Sequence, residues 1–356
     1  MANHLIQSTG RLLDDDGRLR EPGYALNPPF TYDHADIKAP RFRIKDWDYY
    51  LVNDEAYALA LTFADLGYIG LISASVMDFA ARTYKTTSEL IVAPMGSMSL
   101  PTSSDAGDIV WQGERCLVTF AHTPQGRRLS FAMDDFDNGR DLEAEVLLTD
   151  APRDSMVICT PWPKHPHAFY YNRKILGMRA RGGFRAGELF HEFCPQAGEK
   201  DGPSFGLLDW GRGVWTYDNT WYWAAAQGEQ TDDAGASHVV GINLGYGFGD
   251  TSAASENMVF VDGMAHKLDL VDFGIPTNAD GTYRYMEPWH MTANDGRLDL
   301  TFSPLIDRQD RTNLGIVNTG QHQVFGTLDG HVVLDDGSRL AIHNLRASAE
   351  HIHNRY

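Results

Sequence analysis

Residues 141–149 read Asp141-Leu-Glu-Ala-Glu-Val-Leu-Leu-Thr149, and Leu142, Ala144, Val146 and Leu148 share one parity. A period of two sends alternate side chains to opposite faces, so this segment is a strand with one wet face and one buried face. The same grammar recurs throughout the chain, while helical periodicity is scarce. Tyr57–Phe63 and Tyr68–Val76 are apolar runs joined by Ala64-Asp-Leu-Gly67, a hairpin turning near 65–67. Arg115–Ala121 and Arg128–Met133 flank Thr123-Pro-Gln-Gly126 in the same way. Further strands are expected at His238–Leu244, Met258–Val261, Ala265–Val271, Arg297–Phe302, Gln323–Thr327, His331–Leu334 and Arg339–Leu345. Asp-Gly pairs at 262–263, 329–330 and 336–337 predict the tight turns of an antiparallel meander.

A chain of 356 residues favours two domains over one. The pattern is interrupted by basic and glycine residues at Arg179-Ala-Arg-Gly-Gly-Phe-Arg185. The expected organisation is therefore all-β: an irregular arm at 1–35, a first antiparallel barrel at 36–185 and a second at 186–356. Net charge is −18, which removes the basic footprint that nucleic acid or an anionic membrane surface requires. A small molecule is the compatible partner. The three cysteines, Cys116, Cys159 and Cys194, are odd in number and far apart, as in a reduced cytoplasmic protein. The opening residues Met1–Gly10 lack a basic start followed by an apolar core, so no signal peptide is expected. The most apolar stretch, Ala56–Ala81, is broken by Asp65, Gly67, Gly70 and Asp78, which argues against a membrane span.

Nucleotide and serine-hydrolase signatures are missing: there is no P-loop, no GxSxG elbow, and no GxGxxG after a strand. His191-Glu192 begins like a zinc-protease motif, but Pro195 stands where its second histidine would be. His165 and His167 form one HxH pair, and His351 and His353 form another with Glu350 alongside. Such pairs share a strand face and can bind metal, but solvated histidines are the simpler reading. Neither a metal nor a cofactor is expected.

The densest chemistry lies at 204–223, which holds four of the eight tryptophans: Trp210, Trp215, Trp221 and Trp223. Trp221 and Trp223 would share a strand face and form a stacking platform. Asp209 and Arg212 sit among them, with glycine on both sides of Arg212. An acid between apolar walls gains proton affinity and becomes a usable donor near neutrality; an ion pair fixing a Gly-Arg-Gly turn is the structural alternative. Just upstream, Glu188–Cys194 alternates polar and apolar, which makes His191 and Glu192 candidate general acids or bases or, alternatively, the polar face of a strand. Asn243, Glu256 and Asn257 follow glycine-rich loops, where they either contact a ligand or cap turns. Asp307-Arg308 and Asp310-Arg311 read as structural ion pairs.

Taken together, Ser204-Phe-Gly-Leu-Leu-Asp-Trp-Gly-Arg-Gly-Val-Trp215, Trp221-Tyr-Trp223, Asn243-Leu-Gly245, Glu256-Asn257, Asp262-Gly263 and Leu300-Thr-Phe-Ser-Pro304 resemble the family DUF2804. That family is similar to the lipocalin-like carotenoid 1,2-hydratases and fungal Diels–Alderases of the calycin group. The resemblance implies two tandem lipocalin-like (calycin) barrels and an apolar ligand pocket. It also implies cofactor-independent chemistry in which a carboxylic acid protonates a C=C bond. The resemblance carries no catalytic residue over to this chain; from the residues themselves, Asp209 is the expected proton donor, Arg212 and Glu192 tune it, and His191 is a candidate base for water. Trp210, Trp215, Trp221 and Trp223 wall the pocket, and Asn243, Glu256 and Asn257 contact substrate. Two other readings stay open. One is a carbohydrate-active enzyme pairing Asp209 with Glu192 or Glu256. The other is a carrier with a dry apolar cavity and no acid inside.

Overall fold

A computed structural model describes residues 3–194, 196, 202–313 and 318–355. Among the described residues the regular structure is strand, and the only helical segments are two short 3-10 turns at His34–Asp36 and Arg41–Arg43. No helix among the described residues is long and apolar enough to cross a membrane.

The first residues carry three short strands, β1 (Gly10–Arg11), β2 (Gly23–Ala25) and β3 (Phe30–Thr31). The arm is irregular but not loose: Ile6, Leu12, Leu13, Phe30 and Tyr32 are buried in the first core.

The first sheet begins with β4 (Ile44–Asn53), β5 (Tyr57–Asp65), β6 (Ile69–Asp78), β7 (Thr83–Val92), β8 (Ile109–Gln112) and β9 (Cys116–Thr123). It continues with β10 (Gly126–Asp137), β11 (Arg140–Thr149), β12 (Met156–Trp162), β13 (His165–Ala186), β14 (Leu189–Phe193) and β15 (Phe205–Val214). The spatial order is β7-β6-β5-β4-β15-β13-β11-β10-β9-β8, with β12 and β14 also on β13. The junction expected between 185 and 186 lies inside this sheet, because β14 and β15 both pair with β13. The glycines read as a domain break serve close backbone approach instead. A Cβ on Gly182 would meet the Glu145 carbonyl at 2.1 Å, and one on Gly183 the His191 carbonyl at 2.2 Å.

The second sheet starts at Asp218. Its first strands are β16 (Asp218–Thr231), β17 (Ser237–Tyr246), β18 (Met258–Val261), β19 (Met264–Lys267) and β20 (Val271–Asp272). Then come β21 (Trp289–Ala293), β22 (Leu298–Asn313), β23 (Asn318–Val333) and β24 (Arg339–Arg355), in the spatial order β19-β18-β17-β16-β24-β23-β22-β21-β20. The run expected as one strand at 265–271 is split between β19 and β20, which stand at opposite edges. Lys267 and Val271 are four steps apart and span at most about 14 Å, so the two edges lie close and the sheet curls round on itself. Two of the three Asp-Gly pairs are turns. The third, Asp329-Gly330, is a bulge inside the continuous β23, where the register shifts between Leu328 and Gly330.

Three apolar layers result. Phe63, Phe131, Phe184 and Trp210 fill the first curl. Trp289, Leu300, Phe302 and Ile342 fill the second. Tyr49, Tyr170, Trp215, Trp223, Phe248 and Phe325 pack between the two sheets. The barrel interiors are thus occupied by side chains, and open space is left in the middle layer.

Candidate active site

Every residue of β15 is buried, since β4 and β13 flank it and both of its faces are covered. Strand parity then sorts the Asp-Trp-Gly-Arg-Gly stretch. Leu208, Trp210 and Val214 enter the first core, and Arg212 stacks on Trp210 with 4.3 Å from guanidinium to ring. Arg212 Nη2 lies 2.9 Å from Asp48 Oδ1, and Arg212 also donates to the carbonyls of Trp47 and Pro101. Asp209 faces the opposite way, into the space between the sheets. Residues three apart on a strand lie on opposite faces, so Arg212 neither pairs with Asp209 nor tunes it. The flanking glycines exist for room: a Cβ on Gly211 would meet the Trp47 ring at 2.0 Å, and one on Gly213 the Phe169 carbonyl at 2.5 Å.

The inter-sheet space is a cavity of about 680 Å³. One end is aromatic, formed by Trp47, Tyr170, Trp215, Trp221 and Phe248. Trp215 meets Trp221 edge-on at 5.1 Å, and Tyr170 stacks on Phe248 at 4.8 Å. Trp221 and Trp223 occupy one face of β16 and both line the cavity. At its centre, Asp209 Oδ1 lies 3.0 Å from Lys174 Nζ and accepts from Asn172 Nδ2 at 2.6 Å. Lys174 also sits 4.1 Å over the Trp223 ring. With a cation and an amide on one oxygen, Asp209 is placed as a hydrogen-bond acceptor.

Glu350, contributed by β24, is placed differently. Its Oε1 accepts from Trp221 Nε1 at 2.9 Å and its Oε2 from Gln323 Nε2 at 3.2 Å. Burial pushes its carboxyl up to about 7; the Trp221 bond and Lys174 oppose this, and Asp209 adds to it. Gln323 is itself oriented by Arg308, whose Nη2 donates to Gln323 Oε1 at 2.6 Å while Nη1 reaches Ser75 on the first sheet at 2.7 Å. An amide whose oxygen is taken by a guanidinium must present its NH2 to Glu350.

The remaining sequence candidates scatter. Trp210 lies in the first core, with its Nε1 lacking a partner. His191 is buried against Tyr57 and bonds Asp54 Oδ2 at 2.6 Å, away from the cavity. Glu192 is exposed on β14 and borders a separate groove, so it tunes nothing at Asp209 and cannot pair with it across a substrate. Asn243 accepts from Trp223 Nε1 at 2.8 Å and donates to the Glu256 carbonyl at 2.8 Å, which braces the tryptophan from behind. Glu256 is buried with neither carboxyl oxygen partnered, and burial pushes it up to about 7. Asn257 bonds the backbone of Gly245 and Asp269, a structural brace. His351 stacks on Tyr222 and bonds Tyr285, while His353 pairs with Asp218. No cluster of three metal-ligating side chains occurs among the described residues. Asp307 pairs with His322 at 2.9 Å, not with Arg308.

Lys174, Gln323, Arg308 and Glu350 were not singled out as site residues in the sequence. Lys174 had a signal: two cations, Arg173 and Lys174, interrupt the apolar run Ala168–Leu176. Gln323 carries no local mark, and Glu350 was marked only as a neighbour of the His351–His353 pair; the two meet through the pairing of β23 with β24.

The family model for a domain of unknown function, DUF2804, matches residues 3–356. The chain belongs to this family. No curated protein matches the sequence. Among solved structures, this DUF2804 chain is similar to a protein assigned as AttH from Nitrosomonas europaea, at TM-score 0.50 and 11% identity, covering 93% of this chain and 98% of that one. It is also similar to kievitone hydratase from Nectria haematococca, at TM-score 0.43 and 9% identity, covering 92% and 95%. A third similar structure is CghA with Sch210972, at TM-score 0.40 and 9% identity, covering 87% of each chain. What the first likeness carries is the fold: two curled, lipocalin-like antiparallel sheets in tandem.

Proposed function

We propose that this chain is a proton-transfer enzyme of hydratase, isomerase or cyclase type acting on a largely apolar small molecule in the inter-sheet cavity. The observation that carries the reading is Glu350, a carboxyl pushed up to about 7 that lines an aromatic-walled cavity and is held by two donors. Such a group keeps its proton near neutrality and gives it up to a stronger acceptor. Transfer of that proton to one carbon of a polarised C=C bond leaves a cation at the other carbon, which the π faces of Trp221 and Trp223 stabilise. Water then adds to the cation, or an adjacent carbon loses a proton, and the carboxylate of Glu350 takes the released proton back. Asp209 is recast as the partner of Lys174, setting the charge beside the acid. A carrier would line its cavity without acids; here Asp209 and Glu350 both face it.

The test begins with native mass spectrometry of co-purified ligand, followed by incubation of that ligand and related conjugated alkenes in D2O. Native protein is expected to place solvent deuterium on carbon, and the Glu350→Gln variant to lose this. Equal incorporation by the variant would sink the assignment.

A further inference from the structure

Away from the tryptophans the cavity turns polar, with Tyr49 and Tyr84 as its aromatic lining on the first sheet there. Thr62 on β5 stands opposite Ser73 on β6, and Ser73 stands opposite Ser88 on β7. All three line the cavity. Directly paired residues on neighbouring antiparallel strands sit about 5 Å apart, so the three hydroxyls form a row across the sheet. The next pair along, Ser75 and Thr86, is satisfied internally at 2.8 Å. The hydroxyls of Thr62, Ser73 and Ser88 have no hydrogen-bond partner among the described residues. Ser73 is buried and Thr62 and Ser88 half-buried, and all three line the cavity, where a ligand can reach them.

The charges at this end do not invite an ion. Arg308 is held by Ser75 and Gln323. Lys45 donates to the carbonyls of Phe42 and Leu66 at 3.1 and 2.5 Å. Lys85 faces Asp137 at 3.5 Å. Asp310, which also borders the cavity, is an exposed acid that repels anions. What remains open is neutral: a row of hydroxyls on one face of the first sheet.

We infer that the substrate is an amphiphile whose neutral, polyhydroxylated end, a glycosyl or polyol group, docks on the Thr62–Ser73–Ser88 row. Its apolar body lies along the aromatic wall and passes Glu350. The inference rests on the reading above for the use of this cavity, but its binding selectivity does not require the acid. The registered pairing also explains why the hydroxyls sit on three adjacent strands: each pair is a cross-strand neighbour on one face, and a spacing of about 5 Å suits alternate hydroxyls of a sugar ring.

The test is a tryptophan-fluorescence titration with two probes that share one apolar body, geraniol and geranyl β-D-glucoside. Native protein is expected to bind the glucoside about ten-fold more tightly, the worth of one or two net hydrogen bonds. In the triple variant Thr62→Val, Ser73→Ala, Ser88→Ala, near-ultraviolet circular dichroism should be native, geraniol affinity unchanged and the glucoside preference gone. If that variant fails to fold, Ser73→Ala alone should lower the preference several-fold. Equal affinity of native protein for the two probes, or a preference that survives the substitutions, overturns the inference. Failure of both probes to bind overturns the use of the cavity as well. Glu350→Gln should keep the glucoside preference; a variant that retains the preference and also retains deuterium transfer refutes the acid while supporting the hydroxyl row.

Discussion

Glu350→Gln should uncouple part of this protein's stability from pH. The carboxyl sits at about 7 in the folded chain against an ordinary value of 4.5. Between those two values the folded state holds a proton that the unfolded state has released. Stability therefore falls as pH rises through this window and levels off above about 7, the reverse of a salt-bridged carboxylate. A span of about 2.5 pH units at 1.36 kcal/mol each amounts to roughly 3 kcal/mol of stability present at pH 4.5 and lost by pH 7. Glutamine cannot ionise, keeps the oxygen that accepts from Trp221, and removes this loss. Urea unfolding at pH 5, 6, 7 and 8 measures it, provided that the m-value stays constant. The variant-minus-native difference should rise by about 1.4 kcal/mol per pH unit up to pH 7 and then flatten. Glu256 carries a similar upward shift from burial, but it is present in both proteins and largely cancels in the difference. A flat difference across the range would mean that Glu350 is already ionised in the fold, and the proposed acid would fall with it.

Three further outcomes follow from named contacts. Lys174→Met leaves Asp209 buried with only Asn172 for company and should cost about 3–5 kcal/mol, while the double variant with Asp209→Asn should recover much of that; strict additivity in urea unfolding would show that the pair is not coupled. Gly211→Ala drives a methyl into the Trp47 ring, so the near-ultraviolet dichroism of the aromatic wall should change and ligand binding weaken by an order of magnitude or more; a native spectrum would refute the packing argument. His191→Asn breaks a buried bond to Asp54 in the first-sheet core and should lower the free energy of urea unfolding by about 1–3 kcal/mol without altering solvent deuterium incorporation; lost incorporation in a folded variant would restore His191 as a site residue.

The all-β character was legible because alternation is a local property. Leu142, Ala144, Val146 and Leu148 announce β11 without reference to any neighbour, and the shared face of Trp221 and Trp223 follows from the same period. The period also contained an unused warning: Asp209 and Arg212, three apart on one strand, had to face different layers. Membership was not legible. Nothing local says that β15 closes the first sheet between β4 and β13 rather than opening the second unit, because both arrangements bury the same apolar residues. Nor does Asp329-Gly330 say whether it turns or bulges, since glycine tolerates both conformations.

The chemistry divides along the same line. The sequence by itself determined a β-protein with an aromatic-rich strand pair and an acid beside it. Only the tertiary structure decided which carboxyl meets a cation in the cavity and which is held there by Trp221 and Gln323. Asp209 meets its lysine because β13 pairs with β15, and Glu350 meets Trp221 and Gln323 because β24 lies between β16 and β23. A carboxyl's proton affinity depends on the water and charges around it, and strands far apart in the chain supply that surrounding.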